Sequence, residues 1–222
     1  MDIKQIRTIL TVFILLTLTA CASQARAGKP ALPKPKSELF GEFVWQEDGD
    51  YGYSILRPST WSSSPAFESR LYYVPTTETD QISIVLEVVN YQIPANTEAE
   101  DGVMGLFRDN PSIEGWTQAR VNTWGKMGFD IQLLHSSEGI RIYSQSMGPG
   151  TLGLVAYIVK QDRPMAVALV NLSGDMADIE LLKQNGIFDD FTTIVESIRM
   201  IPVEPGKTTP ALPERESSTP YP

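Results

Sequence analysis

The chain has 222 residues, 42% of them apolar, and its 18 Lys and Arg against 27 Asp and Glu leave a net charge of −9. That balance excludes nucleic acid as a partner, because binding it takes clustered basic side chains. The one cysteine, Cys21, has no partner for a disulfide within the chain, so the fold has to rest on its core.

Lys4 and Arg7 open the chain, and an uncharged apolar run follows from Thr8 to Leu18. The run suits the apolar region of a signal peptide and is too short for a bilayer, which needs about 20 residues. Leu18, Thr19 and Ala20 then lead into Cys21. This ending resembles the lipobox of bacterial lipoproteins. The resemblance implies removal of residues 1–20 and a lipid on the Cys21 thiol, the one strong side-chain nucleophile at the cleavage point. The alternative is an ordinary signal-peptide cleavage across Ala20-Cys21-Ala22. A diacylglyceryl thioether anchors a protein unaided, since each buried methylene contributes roughly 0.8 kcal/mol and two chains suffice. Ala22, rather than Asp, implies carriage to the outer membrane in a cell that has one. The mature chain would keep 16 Lys and Arg against 26 Asp and Glu. So acidic a protein is not expected to dock on anionic lipid by its own surface, which leaves the anchoring to the lipid.

Residues 21–38 read as a flexible, proline-rich spacer, 39–202 as one domain, and 203–222 as a disordered proline-rich tail. No second apolar run in the sequence is long enough to cross a membrane.

Within the domain, Phe43 to Gln46 and Tyr53 to Leu56 read as strands joined at Asp48-Gly49-Asp50. Pro58 ends the second of them, and Trp61 follows in a Ser-rich turn. Arg70 to Val74 is a further strand. Ile82 to Tyr91 is apolar on both faces, the mark of a central strand. Thr97-Glu98-Ala99-Glu100 spells a capping box and opens a helix with Ala99, Val103, Leu106 and Phe107 on one stripe, stopped at Asn110-Pro111. Gln118 to Trp124 and Phe129 to Leu134 read as a hairpin about Gly125-Lys126-Met127-Gly128. Ile140 to Ser146, Leu152 to Lys160 and Met165 to Leu172 continue the antiparallel run, the last two apolar enough to be central. Asp175 to Lys183 and Ile187 to Ile198 read as helices, with Gly186 in a left-handed C′ position between them. The expected class is α+β: an α/β/α sandwich with a mainly antiparallel sheet covered by helices on both faces.

Two runs carry a resemblance to a known family. Tyr51-Gly52-Tyr53-Ser54-Ile55-Leu56-Arg57-Pro58-Ser59-Thr60-Trp61 is similar to the Gly-aromatic-x-hydrophobic-x-x-Pro-x-x-Trp element of the PsbP-like family. Phe191-Thr192-Thr193-Ile194-Val195-Glu196-Ser197-Ile198 is similar to the end of that family's last helix. The resemblance spans about residues 43–201. It implies a PsbP-like sandwich with a binding or assembly-assisting role rather than catalysis, tied to photosystem II in photosynthetic relatives. Metal binding is associated with some members, and the single histidine here departs from that.

The remaining constellations favour plain structural roles. His135 stands alone, with no Gly-x-Ser-x-Gly elbow and too few His and Cys for zinc. Gly148-Pro149-Gly150-Thr151-Leu152-Gly153 spells a dinucleotide fingerprint, but a strand is expected after it where phosphate binding needs a helix N-terminus. Glu47-Asp48-Gly49-Asp50 gathers three carboxylates at a turn without the distal Glu of a calcium loop. Asp189 and Asp190 suit the first turn of a helix. Trp45, Trp116 and Trp124, with Tyr72, Tyr73, Tyr91 and Tyr143, are expected on strands, in packing or along a groove. No catalytic set, cofactor or metal is expected. The expected activity is that of a membrane-anchored extracytoplasmic lipoprotein binding a protein partner in an envelope complex. The alternative is a small-molecule carrier or sensor with a cavity between sheet and helix.

Overall fold

The computed structural model describes residues 31–66, 69–75, 84–90, 107, 109–146, 148 and 150–202. The chain divides into Met1–Pro33 and Lys34–Pro222, and every element below belongs to the second unit. Its strands are β1 (Phe43–Asp48), β2 (Tyr53–Pro58), β3 (Ser62–Pro65), β4 (Ser69–Tyr73), β5 (Val85–Asn90), β6 (Asp130–Ser137), β7 (Ile140–Ser146), β8 (Thr151–Lys160), β9 (Arg163–Ser173) and β10 (Arg199–Met200). The helices are α1 (Ile113–Lys126), α2 (Ile179–Gln184) and α3 (Ile187–Ser197), with a 3-10 turn at Gly174–Ala177. Among the described residues these form a small sheet, β1-β2-β10, and a seven-stranded sheet, β3-β4-β5-β9-β8-β7-β6. All pairings are antiparallel. The class is mixed α+β, mostly antiparallel sheet with a few helices.

Apolar content decides which strands lie inside. β5, β9 and β8 stand together in the middle of the large sheet, as their sequences require. Alternation then divides β8 between two clusters. Leu154, Ala156 and Ile158 join the main core with Phe191, Ile194 and Val195 of α3. Val155, Tyr157 and Val159 pack with Ile113 and Trp116 of α1. Each large apolar side chain taken fully out of water adds roughly 1.5–3 kcal/mol.

The stretch expected as a strand, Gln118 to Trp124, is part of helix α1. Val121 and Thr123, with Thr117 just before it, gave it a strand-like composition, since β-branched residues favour sheets. In the helix, Thr117 and Thr123 turn their hydroxyls back to the carbonyls of Ile113 (2.7 Å) and Ala119 (2.9 Å). Ser112 caps the start by accepting from the Gly115 amide at 3.0 Å. The glycines at 125–128 close the helix rather than a hairpin. Gly128 sits at φ +90° and donates to the Gly125 carbonyl at 3.1 Å, and the Phe129 amide reaches back to Trp124 at 3.1 Å. Trp124 and Phe129 meet edge-on at 4.9 Å, the apolar contact that accompanies this C-terminal motif.

Two further expectations shift, and a third is not tested. The helix from Thr97 lies outside the described residues except at its end, where Phe107 packs edge-on against Trp116 at 5.6 Å. Asp175 to Lys183 is two pieces rather than one helix. Asp178 breaks it by capping α2, its carboxylate accepting from Glu180 (2.8 Å) and Leu181 (3.3 Å). Ser62–Pro65, expected as a turn, forms the edge strand β3 against β4.

The two runs that carry the family resemblance meet. The Ser197 hydroxyl accepts from the Leu56 amide at 2.9 Å and donates to Ile194 at 2.6 Å, fastening the end of α3 to β2. Trp61 donates to the Leu39 carbonyl at 3.2 Å and stacks on Phe40 at 5.4 Å, and both rings are nearly inaccessible to solvent.

Packing begins at Lys36, inside the stretch expected as spacer. Asp190, 2% exposed, accepts from the Lys36 amide (2.8 and 3.0 Å), the Ser37 amide (2.7 Å) and the Ser37 hydroxyl (2.6 Å). Gly186 permits the approach. It lies at φ +74°, and a Cβ there would stand 2.6 Å from Lys36 Cβ. Gly186→Ala is expected to destabilise by at least about 1 kcal/mol more than Gly128→Ala. Both suffer left-handed strain of about 1–2 kcal/mol, but only the first meets a neighbour. Urea denaturation of the two variants measures the difference.

Candidate functional site

The strongest concentration of interacting polar groups lies at the β1–β2 turn. Asp48 ends β1, and its Oδ1 accepts from the Tyr51 amide at 3.3 Å, folding the turn onto its own backbone. Its Oδ2 accepts from Arg70 Nε at 2.7 Å, across from β4. Asp48 is 5% and Arg70 19% exposed at the side chain. Burial works against the Arg70 charge, and the bond and field of Asp48 outweigh it, so the guanidinium is held protonated. Arg70 also lies over the Tyr51 ring at 5.3 Å, and the Tyr51 hydroxyl donates to the Ala66 carbonyl at 2.8 Å. Beside this group Arg57 lies over the Tyr72 ring at 5.7 Å.

Outside the ion pair a shallow groove of about 530 Å³ opens, lined by Gln46, Glu47, Asp48, Gly49, Asp50, Arg70, Ile201 and Pro202. It is a polar recess formed where both ends of the domain meet, because the Ile201 amide donates to Gly52 at 3.0 Å. Chemically it presents carboxylates, with the buried one committed to Arg70. Among the described residues no cluster of three or more His, Cys, Asp or Glu is arranged to hold a metal.

Behind the groove two phenols are fully buried, Tyr53 and Tyr72. Burial is the main cause that pushes both hydroxyls above the usual tyrosine range, Tyr53 furthest. Tyr51 is raised too, first by burial, with Arg70 opposing. The Tyr53 and Tyr72 hydroxyls act on one another, yet neither makes a hydrogen bond of normal geometry among the described residues.

The other sequence candidates fall elsewhere. Leu18, Thr19, Ala20 and Cys21 lie outside the described residues. His135 sits inside β6, at a register irregularity between Leu133 and His135, rather than at a strand end. Its Nε2 stands 3.6 Å from Glu196 Oε1. Nearby, Lys160 donates to the Ile198 carbonyl at 2.8 Å at the end of α3, and burial lowers its affinity for the proton. The glycines at 148 and 150 stand between β7 and β8, and the strand that follows gives a phosphate no helix N-terminus. They line a second recess of about 430 Å³ with Gly128 and Asp130. Trp116 and Trp124 belong to α1 rather than to a strand, and Arg120 is held between the Trp124 and Tyr157 rings at 5.1 and 5.7 Å. Trp45 is 42% exposed, with Arg199 lying over it at 4.7 Å. Asp190 does more than favour a helix dipole, since it binds the start of the domain. Sequence reasoning missed Arg70 and the long-range role of Asp190, because neither partner lies within a local motif.

No family model and no curated protein sequence matches the chain. Among solved structures it is similar to cyanobacterial PsbP (CyanoP) from Synechocystis sp. PCC 6803, a solution structure. The identity is 15%, the match covers 78% of this chain and 98% of that one, and the TM-score is 0.42.

Two predictions follow the charges. Arg70→Met leaves Asp48 buried without its cation and is expected to cost about 3 kcal/mol, whereas Asp48→Asn combined with Arg70→Met recovers most of that loss. Urea denaturation of the single and double variants checks it, and additive losses would remove the ion pair as the cause. The second concerns alkali. Tyr51, Tyr53 and Tyr72 keep their protons to higher pH in the fold than in the unfolded chain, where tyrosine ionises near about 10. Their contribution is complete below that pH and is lost as pH rises through the folded values. Unfolding free energy should fall above about pH 10 by up to roughly 1.4 kcal/mol per pH unit for each such tyrosine. Tyr53→Phe with Tyr72→Phe should flatten that fall while leaving stability at pH 7 within about 1 kcal/mol. An unchanged slope would sink this assignment.

Proposed function

We propose that the chain is an extracytoplasmic lipoprotein, anchored through Cys21, whose domain is a non-catalytic binding module for a protein partner in an envelope complex. The observation that carries the location is the lipobox-like Leu18-Thr19-Ala20-Cys21 directly after an apolar run of signal-peptide length. The binding role is supported by what the polar groups do. Asp48 is committed to Arg70, and Asp190 to residues 36 and 37, so the two buried carboxylates among the described residues serve the architecture. Around them lie open, polar recesses suited to surface recognition.

We read the domain as a PsbP-like α/β/α sandwich. The division of β8 between an α1 cluster and an α3 cluster supports this reading. So does the Leu56–Ser197 bond, which joins the two motifs of the family resemblance. In a photosynthetic cell the complex would be a photosystem.

The test is purification of the protein from crosslinked native membranes, beside a Cys21→Ser control, with mass spectrometry of partners and of the N-terminal peptide. The expected result is a diacylglyceryl Cys21 at the N-terminus and a reproducible partner set that is lost in the control. A chain that retains residues 1–20, or an unmodified Cys21, would overturn the anchor. A lipidated, membrane-bound monomer with no partner would overturn the binding role and favour a small-molecule carrier.

A further inference from the structure

Four arginines of the domain are held by oxygen acceptors. Arg70 is on Asp48, Arg141 on Glu114, Arg57 on the carbonyls of Pro58 and Trp61, and Arg163 on the Ile201 carbonyl. Arg120, in the middle of α1, differs. Its guanidinium lies between the rings of Trp124 (5.1 Å) and Tyr157 (5.7 Å), and among the described residues no carboxylate pairs with it. Its Nε and the Trp124 Nε1 are both shut from solvent without a hydrogen-bond partner there. Unpaired buried donors cost stability, so this cluster is not arranged for the isolated domain alone.

Around Arg120 the chain departs from its acidic average. Between Glu114 and Asp130 the charged residues are Arg120 and Lys126, and Glu114 is itself paired with Arg141. Beside the cation lies apolar surface that water still reaches. Tyr157 meets the half-buried Tyr143 at 6.0 Å, and Tyr143 stands directly across from Leu133 of β6, so the three share the face of the sheet that α1 packs on. Leu133 is 50% exposed, and Met127, at the end of α1, is 60% exposed. These are the two most exposed large apolar side chains among the described residues. β6 is the outer strand of its sheet, so no further strand covers that flank.

We propose that this face is where the partner of the binding module docks, and that the partner presents an acidic side chain flanked by apolar ones. The carboxylate meets the Nη atoms of Arg120, and the flanking side chains cover Leu133 and Met127. The proposal rests on the protein-binding reading above and gives it a surface and a partner chemistry. Interface cores are enriched in aromatic residues, Met and Arg, and Trp, Tyr and Arg carry most of the binding energy there. The two rings hold the guanidinium in place before the partner arrives, so little side-chain freedom is lost on pairing. With Nε enclosed, the two Nη groups form the end of the fork that a carboxylate fits. An acidic segment is repelled by the carboxylates of the β1–β2 recess and attracted to α1, which sets the orientation of the encounter.

The experiment couples the full chain to a surface through its single thiol and pans it with a random heptapeptide library displayed on phage. Selected peptides, synthesised with blocked ends, are titrated against wild type, Arg120→Met, Arg120→Lys and Leu133→Ser. The selected sequences should carry Asp or Glu beside Leu, Ile or Phe, and should lose about tenfold in affinity on Arg120→Met. Replacing their acid by its amide should cost as much against wild type and nothing against Arg120→Met, the signature of a direct pair. Arg120→Lys keeps the charge but not the fork, so it should recover only part of the loss. Leu133→Ser, at an exposed position that leaves the fold intact, should weaken binding severalfold. Selected peptides without an acid, or acidic peptides that bind Arg120→Met as tightly as wild type, would overturn the proposal. So would dimerisation of the chain that Leu133→Ser abolishes, because it gives the surface to a second copy. Failure here leaves a partner set found in native membranes standing and moves its docking to another surface. Absence of partners in native membranes removes the binding role, while the peptide titrations still report on this face.

Discussion

A carboxylate withdrawn from water is tolerable only when its lone pairs are filled, and Asp190 fills them from residues far away in the chain. Two backbone amides and a hydroxyl from Lys36 and Ser37 converge on it. That clasp sets the course of the next few residues. Phe40 is carried onto Trp61, whose indole is in turn held by the Leu39 carbonyl. With Trp61 seated, the chain turns off β2 into β3. The small sheet is thus closed from the N-terminal side by a strap and from the C-terminal side by α3 and β10. Losing Asp190 would leave two amides facing a gap and release the strap.

Arg70 holds a comparable position at the opposite end of β2. One guanidinium balances Asp48 and covers Tyr51, and behind it the Tyr53 and Tyr72 hydroxyls lie in a region with little hydrogen-bonding capacity. A polar cluster so organised is rigid and electrostatically committed. What it offers outward is the rim, where Glu47 and Asp50 line an open recess. Rims of this kind give selectivity and orientation in an encounter more than raw affinity. That suits the proposed module, whose residence at a membrane would be set by an anchor rather than by its contacts.

Much of the sheet was legible because burial leaves a direct trace in sequence. β8 and β9 are apolar on both faces and sit centrally, and Ile140–Ser146 is a strand over the residues its pattern marks. The misreadings have physical causes. β3 is Ser-Ser-Ser-Pro, an edge strand with no apolar face to betray it. In α1 the buried apolar residues, Ile113 and Trp116, crowd into the first turns, so no stripe runs the length of the helix, while threonines and a valine suggest a strand. Of the site, the Asp48-Gly49 turn was legible as turn chemistry. Its pairing with Arg70, 22 residues on, was not, because sequence carries local periodicity and not the partner across a sheet. The same limit hid the Lys36–Asp190 clasp, whose ends lie 154 residues apart.

That separation has a consequence in time. Closing contacts between distant residues raises contact order, and proteins dominated by such contacts fold slowly. Here the first hairpin cannot be sealed by its neighbours until residues 197–201 exist. A chain emerging from its N-terminus therefore carries an unclasped strap and an open β2 edge through most of its synthesis. The last turn of α3 and the two residues of β10 complete the domain, and until they arrive the earliest strands remain available to other partners, correct or otherwise.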